Sequence, residues 1–470
     1  MLSKSPSQTS ETKSRLREPL RKQIGSVNLI HSNTNGDETT NPDRILLLDA
    51  QKNASVVFAR ALAEGNIDIT VGGWSRLAPG MLSRHVEDSF LYPSPYQYPK
   101  QFIDELTEHL RVNDYLAVVP ITDLSHVLLA KHKSALEATG TAIGTEDWET
   151  FTTANNKKQL AVLLEDLSVP GPHTSAPDSL DDVAALRDEF SYPVLIKPQY
   201  TTVSKANGTY TEARISDENY VDSPDCLASQ YRSLVEKYHY LQPDLPIIQE
   251  MIPGTVTATC GLADSGEFVE YFQEERLRMY PVEGGSSSLR RGIREPKMAE
   301  NAEKIVRELD WTGPIYIEFI QSEAGEFHVL EVNGRYWGSL GCAICGGVNI
   351  PLLHYQQLKD VQFTPSGTYK TGVKQRRLFY TDIKWLGAQI EAGNYRAAIP
   401  FLQSFSDADH DVLAVDDPLP TVGAILWALE ETVTGAGPTV KLREKKNLIS
   451  SYVLGSITAY ILDLFRKKKP

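Results

Sequence analysis

Two short apolar segments each carry an acid where a core strand should have none. IYIEFI (Ile315 to Ile320) holds Glu318, and FHVLEVNGRYWGSL (Phe327 to Leu340) holds Glu331. A carboxylate among apolar neighbours needs a compensating cation, and a hard divalent metal such as Mg²⁺ is a natural one. Side chains alternate along a strand, so Glu331 and Asn333 share a face while Val332 points away. If the connection Gln321 to Glu326 closes a hairpin, Glu318 joins them. Two carboxylates and an amide oxygen then form a ligand set suited to Mg²⁺ between the phosphates of ATP. Arg335 continues the alternation, and its planar fork suits a transferred phosphoryl group or a substrate carboxylate. The competing reading is plainer: edge-strand acids facing water, followed by a solvated arginine.

These residues need a scaffold, and the sequence suggests one. A strand over Ile45 to Leu48, a helix over Ala54 to Glu64, a strand over Ile67 to Val71, a helix over Phe102 to Leu110 and a strand over Tyr115 to Val119 alternate as in a parallel sheet covered on both faces. The first turn lacks the glycine fingerprint of dinucleotide binding, which disfavours a Rossmann dehydrogenase. From about Ala154 the texture changes, with helices at Asn155 to Leu167 and Leu180 to Phe190 and a strand at Val194 to Ile196. Strand-like runs follow at Thr209 to Ile215, Ile247 to Gln249, Thr255 to Leu262 and Phe268 to Arg278. A helix at Lys297 to Leu309 then leads to the two acid-bearing strands. This second part reads as α+β with mostly antiparallel sheet. Beyond about Thr364 the pattern is mainly helical. The expected organisation is a disordered tail (1–43), an α/β domain (44–140), a two-lobed α+β domain (141–363) and a mainly helical C-terminal region (364–470).

Length and composition restrict the possibilities. At 470 residues and 41% apolar content the chain can build more than one core. A formal net charge of -14 repels phosphate backbones, which argues against nucleic acid as a partner. Four cysteines are too few for a disulfide scaffold, and the polar N-terminal residues lack the apolar core of a secretory signal, so a cytoplasmic location is expected.

The pattern strand-E-strand followed by E-x-N-x-R resembles the metal-binding end of the ATP-grasp superfamily. Other pieces occur in the matching order. Lys157 opens a helical segment (NNKKQLAVLLEDLSVPGP), although the adjacent Lys158 competes for that place, and Lys197 ends a strand (YPVLIKPQY). A loop containing Ser204 follows (TTVSKANGTY), and IIQEMIPG (Ile247 to Gly254) looks like the hinge that holds adenine. The resemblance covers roughly Arg44 to Leu358. It implies an N-terminal pre-ATP-grasp domain, two lobes clamping ATP, and Mg²⁺, or Mn²⁺ in its place, held by Glu318, Glu331 and Asn333. Lys157 and Lys197 would neutralise the polyphosphate, Ser204 would meet it from the loop, and Gln249, Glu250, Met251 and Ile252 would hold the adenine. Arg335 would act on the transferring group. EGGSSSLRRGIREP resembles the arginine-bearing loop of biotin carboxylase-like members, giving Arg290 a cofactor contact and Arg291 a catalytic one; a basic surface loop is the competing reading.

The implied reaction is ligation of a small-molecule carboxylate to an amine through an acylphosphate. A phosphotransferase and a non-catalytic nucleotide-binding protein remain alternatives. The sequence departs from the family after the hinge glycine, where Thr255, Val256 and Thr257 stand in place of an acid that would hold the ribose hydroxyls.

Cys342 and Cys345 form a C-x-x-C without a second pair to complete a zinc site, and read as structural cysteines on a small-residue helix. The apolar stretch Leu448 to Phe465, flanked by basic residues, reads as a packed domain or dimer helix, with peripheral membrane contact as the alternative.

Overall fold

A computed structural model describes residues 42–434, apart from residues 64, 66, 214, 283 and 363–366. The tail expected to be disordered and the apolar stretch at 448–465 lie outside the described residues. The N-terminal unit is a five-stranded parallel sheet of β1 (Asp43–Leu47), β2 (Ile67–Gly73), β3 (Asp88–Leu91), β4 (Ala117–Val119) and β5 (Ala142–Ile143), ordered β3-β2-β1-β4-β5. Ile45, Leu46 and Leu47 of β1 are all fully buried, as a strand covered on both faces requires. Its helices are α1 (Asn53–Leu62), α2 (Pro99–Val112), α3 (Asp123–Lys131) and α4 (Lys133–Glu137).

The helix expected over Asn155 to Leu167 is α6 (Lys157–Asp166), and a separate helix that was not expected, α5 (Trp148–Asn155), precedes it. Between them stands Asn156, whose extended backbone ends α5 and whose side chain accepts a hydrogen bond from Gln159 N at 2.9 Å. Asparagine caps a helix start well and serves poorly inside one. The cap makes Lys157 the first residue of α6.

The small lobe contains β6 (Thr174–Ser175), β7 (Val194–Lys197), β10 (Tyr220–Val221) and β11 (Ile247–Glu250) in an antiparallel sheet ordered β10-β7-β11-β6, with α7 (Pro224–Lys237) packed on it. It has its own core, including Val194, Ile196, Tyr231, Leu234 and Ile248. The helix expected over Leu180 to Phe190 is a 3-10 segment, Asp182–Asp188. The loop expected after Lys197 is instead a small ribbon of β8 (Thr202–Ser204) and β9 (Tyr210–Glu212), turning through Gly208 at a φ of +79°.

The large sheet has seven strands: β12 (Gly254–Asp264), β13 (Glu267–Tyr280), β14 (Ser286–Ile293), β15 (Gly313–Ser322), β16 (Phe327–Asn333), β17 (Lys374–Arg376) and β18 (Asp409–His410). Their order is β16-β15-β12-β13-β14-β17-β18, antiparallel throughout except for β17 with β18. The remaining helices are α8 (Pro296–Glu308), α9 (Leu340–Gly346), α10 (Ile350–Leu358), α11 (Ile383–Glu391), α12 (Ala398–Asp407) and α13 (Leu419–Thr434). The C-terminal region is thus mainly helical, and it also contributes the last two strands of the sheet.

One core joins the N-terminal unit to the large sheet. Phe58 of α1 meets Tyr336 edge to face at 5.3 Å, among Leu47, Cys260, Phe272 and Trp337. Such an aromatic pair adds about 0.5–1.5 kcal/mol to its burial. The small lobe has a separate core, and Lys197 at the end of its β7 lies close enough to both acids to feel their charge. Among the described residues no helix is long and apolar enough to cross a membrane.

Candidate functional site

β15 and β16 close the hairpin that the acids require. Ser322 N donates to Glu326 O at 2.8 Å in the connection, and the register sets Glu318 opposite Glu331 and Tyr316 opposite Asn333. Asn333 Nδ2 donates to Glu331 Oε1 at 3.0 Å. β16 is the edge of the sheet, yet its acid does not simply face water. The Glu318 and Glu331 side chains are only 13% and 29% exposed, and both are answered by cations.

Lys157 Nζ lies 3.7 Å from Glu331 Oε2, placed there by the start of α6. Lys158 turns the other way, to Asp178 at 3.1 Å. Lys157, not its neighbour, therefore faces the acids. Lys197 ends β7 and donates from Nζ to Gln249 Oε1 at 2.8 Å. Burial pushes the Lys197 ammonium pKa down; Glu331 opposes that shift and Lys157 adds to it. Burial also works against charge on Glu331, but Lys157, the Asn333 amide, Lys197 and Arg335 together hold its carboxyl well below the usual range. Glu318 moves upward, through burial and the facing Glu331, against the pull of Arg276.

Two residues that the sequence reading missed belong here. Arg276 of β13 contacts the Glu318 carboxylate and reaches Tyr316 Oη at 3.4 Å. Asp123, the first residue of α3, accepts from Arg335 Nε at 2.7 Å. Arg335 also donates to Tyr336 O at 2.8 Å and to Asn333 Oδ1 at 3.4 Å. Alternation puts Glu274 and Arg276 on one face of β13, a signal by which Arg276 was findable, before a bulge after Arg276 turns Arg278 to Asp382 instead. No local pattern marks Asp123, which lies 212 positions from its partner.

The hinge residues lie where β11 passes into β12. Gln249 bridges Lys197 and Thr174, its Nε2 donating to Thr174 Oγ1 at 3.0 Å. The Glu250 carboxylate accepts from Ser191 N at 2.6 Å, and the Glu250 amide donates to His173 O at 2.9 Å. Met251 is exposed and Ile252 partly buried. Ser204 is exposed at the tip side of the β8–β9 ribbon.

The arginine-bearing segment needs correction. It is not a loop, because Ser286 to Ile293 forms β14 inside the sheet, between β13 and β17. Arg290 is 1% exposed and its guanidinium is taken up by Ser287, by Gln375 Oε1 at 2.7 Å and by Gly338 O at 3.3 Å. Arg291, on the opposite face, is ion-paired with Glu275. Glycines and serines suggested a loop, whereas strand pairing on both sides decides the conformation. Cys342 is buried on α9, and burial raises its thiol pKa, as expected of a structural cysteine.

Among the described residues no three His, Cys, Asp or Glu side chains gather as a metal cluster. The set is instead two opposed carboxylates and an amide, all oxygen donors, which fits a hard cation.

With this arrangement of lobes and strands, comparison with known proteins is informative. A structure of the biotin carboxylase domain dimer of Hydrogenobacter thermophilus 2-oxoglutarate carboxylase, in complex with MgADP, ADP and bicarbonate, aligns with a TM-score of 0.55 at 13% identity over 71% of this chain and 73% of that one. The chain shares its fold with that domain, which agrees with the resemblance to the ATP-grasp superfamily read in the sequence. An L-amino acid ligase from Bacillus licheniformis shares this ATP-grasp architecture with a TM-score of 0.50 at 16% identity, over 68% of this chain and 75% of that one. By sequence, the chain is 24% identical over 261 residues to the carbamoyl phosphate synthase large chain of Pyrococcus furiosus. That match spans 53% of this chain and 22% of the relative, so it corresponds to about a fifth of that protein's length. No protein-family model matches the chain.

Proposed function

We propose that the protein binds Mg-ATP between the small lobe and the edge of the large sheet and phosphorylates a carboxylate, which an amine or similar nucleophile then captures. The observation that carries this reading is the register pairing of Glu318 with Glu331 beside Asn333, facing Lys157, Lys197 and Arg335. Its relatives include a biotin carboxylase domain seen with MgADP and bicarbonate and an L-amino acid ligase, which supports the reaction class.

Glu318, Glu331 and Asn333 would hold Mg²⁺, which when bound screens the polyphosphate and draws electron density from the phosphoryl group. Lys157, at the start of a helix packed against β16, and Lys197, at the end of β7 in the small lobe, would present compact ammonium groups to phosphate oxygens. Arg276 pulls Glu318 toward its charged form against the effect of burial. Gln249, Glu250, Met251 and Ile252 would line the adenine end, with Ser204 approaching the phosphates from the ribbon. In the reaction a carboxylate oxygen attacks the γ-phosphorus and the bond to the β,γ-bridging oxygen breaks, releasing ADP. The amine nitrogen then attacks the acyl carbon, phosphate departs, and the nitrogen loses a proton. Arg335 would hold the transferring group's oxygens through both steps.

Phosphate release measured over pooled amino acids, sugar acids and amines tests this reading, with Glu331→Gln as control. Release that requires both a carboxylic acid and an amine, and that is lost in the variant, is expected. A requirement for a hydroxyl acceptor alone would favour a phosphotransferase, and equal release by Glu331→Gln would remove the proposed metal role.

A further inference from the structure

Asp123 of the N-terminal unit reaches the site, and its placement follows from the topology of the parallel sheet. The strand order turns between β1 and β4, and the C-terminal edge at such a point is where open α/β sheets receive ligands. Here that crevice is closed to anions. Asp49, with a φ of 67°, accepts from Ile121 N at 3.0 Å, Thr122 N at 2.8 Å and Ser125 Oγ at 2.8 Å, taking up the donors at the start of α3. Asp123 stands next to them, 20% exposed, and turns instead to Arg335.

A guanidinium has five N–H groups in a rigid fork. In Arg335, Nε is fixed by Asp123, one terminal nitrogen by Tyr336 O and the other by Asn333 Oδ1. Three N–H groups are thereby committed, and one on each terminal nitrogen is left. Two of the three anchors come from the same stretch of chain as Arg335 and would move with it. Asp123 is the anchor from another unit, so it alone fixes the fork relative to the rest of the protein.

We infer that Asp123 is a positioning residue for Arg335, aiming the two remaining N–H groups at the γ-phosphoryl group of the bound nucleotide. The inference rests on the nucleotide reading above. A lysine at 335 could not be held in this way, because it lacks a second nitrogen to anchor while the others bind.

The test uses the full chain and compares dissociation constants for Mg-ADP and for the Mg complex of β,γ-imido-ATP, whose ratio reports contacts to the γ-phosphoryl group. Asp123→Ala should reduce the preference for the triphosphate about tenfold, the scale of one well-aligned charge-assisted hydrogen bond, while leaving Mg-ADP binding unchanged. Asp123→Asn, whose amide oxygen can still accept from Nε, should retain most of the preference. Arg335→Ala should lose the same preference, and the double variant should lose no more than Arg335→Ala alone, since the two act as one unit. A merely structural role would weaken both ligands equally. That result, or an unchanged ratio in Asp123→Ala alongside a lost one in Arg335→Ala, would overturn the inference while the nucleotide reading stands. If the wild-type protein binds neither ligand, the nucleotide reading fails first and the inference falls with it.

Discussion

Replacing Arg276 with methionine removes the cation that touches Glu318 while keeping much of its hydrocarbon volume. In the wild type the pair is nearly buried, at 14% and 13% side-chain exposure, and Glu331 faces Glu318 across the hairpin. Breaking one side of a buried ion pair strands the other charge, at a cost of about 3–5 kcal/mol. Lys197 also offsets charge at Glu318, but it is already engaged with Gln249 and lies near Glu331. The loss in Arg276→Met should therefore fall near that range in the absence of ligand. A divalent cation held by Glu318 and Glu331 would neutralise the stranded charge, so Mg-ADP should recover more than half of the lost stability. Urea unfolding of both proteins, with and without saturating Mg-ADP, measures the difference. A stability gap of the same size in both conditions, with Mg-ADP still stabilising the wild type, would show that the cation does not sit on Glu318.

The geometry supports three further expectations. Lys157→Met should weaken Mg-ATP binding about tenfold or more, the order of one lost charge-assisted contact, whereas Lys158→Met, altering a surface pair with Asp178, should leave it within twofold; fluorescence titration separates them. Gly334→Ala would drive a methyl group into the Trp311 ring, so it should cost about 1–3 kcal/mol in unfolding and displace the neighbouring Asn333 enough to weaken nucleotide binding as well. His126, stacked on Phe151 at 5.9 Å with Nδ1 at 2.9 Å from Thr122 O, has its pKa pushed down by burial to about 4. The unfolded chain takes up a proton there near pH 6.5 and the folded chain does not, so stability is full above pH 6.5 and falls as pH drops through 4, by about 3 kcal/mol. His126→Leu should flatten that part of the acid slope in urea midpoints between pH 7.5 and 4.5; an unchanged slope would mean another group carries it.

The acid-bearing strands were legible because burial and alternation act locally: Glu318, Glu331 and Asn333 fall on one face from strand period alone, and a six-residue connection suffices for a hairpin. The parallel sheet was legible for a similar reason, since Ile45 to Leu48 is an unbroken apolar run. The misread segments share a different cause. β14 is rich in serine and glycine and is a strand only because β13 and β17 pair with both of its edges. β9 was expected as a strand, but β8 looked like a loop, and the ribbon they form contacts the N-terminal unit, Tyr210 N donating to Tyr96 O at 2.8 Å and Tyr96 Oη to Glu212 Oε1 at 2.8 Å. At Asn156 a capping side chain sets the start of α6 two residues inside the expected helix. The partners of the site residues were the least legible, because Arg276 and Asp123 meet theirs across 42 and 212 positions, and pairing at that range is set by topology rather than by any spacing.

The central claim is that Glu318, Glu331 and Asn333 jointly hold the metal of a metal–nucleotide complex. Calorimetric titration of ADP into the wild-type protein and into Glu318→Gln/Glu331→Gln, each in Mg²⁺ and in EDTA, tests it most directly. The wild type should bind ADP at least about tenfold more tightly in Mg²⁺ than in EDTA, and the double variant should bind with the same weaker affinity in both. An undiminished Mg²⁺ dependence in the double variant would contradict the assignment.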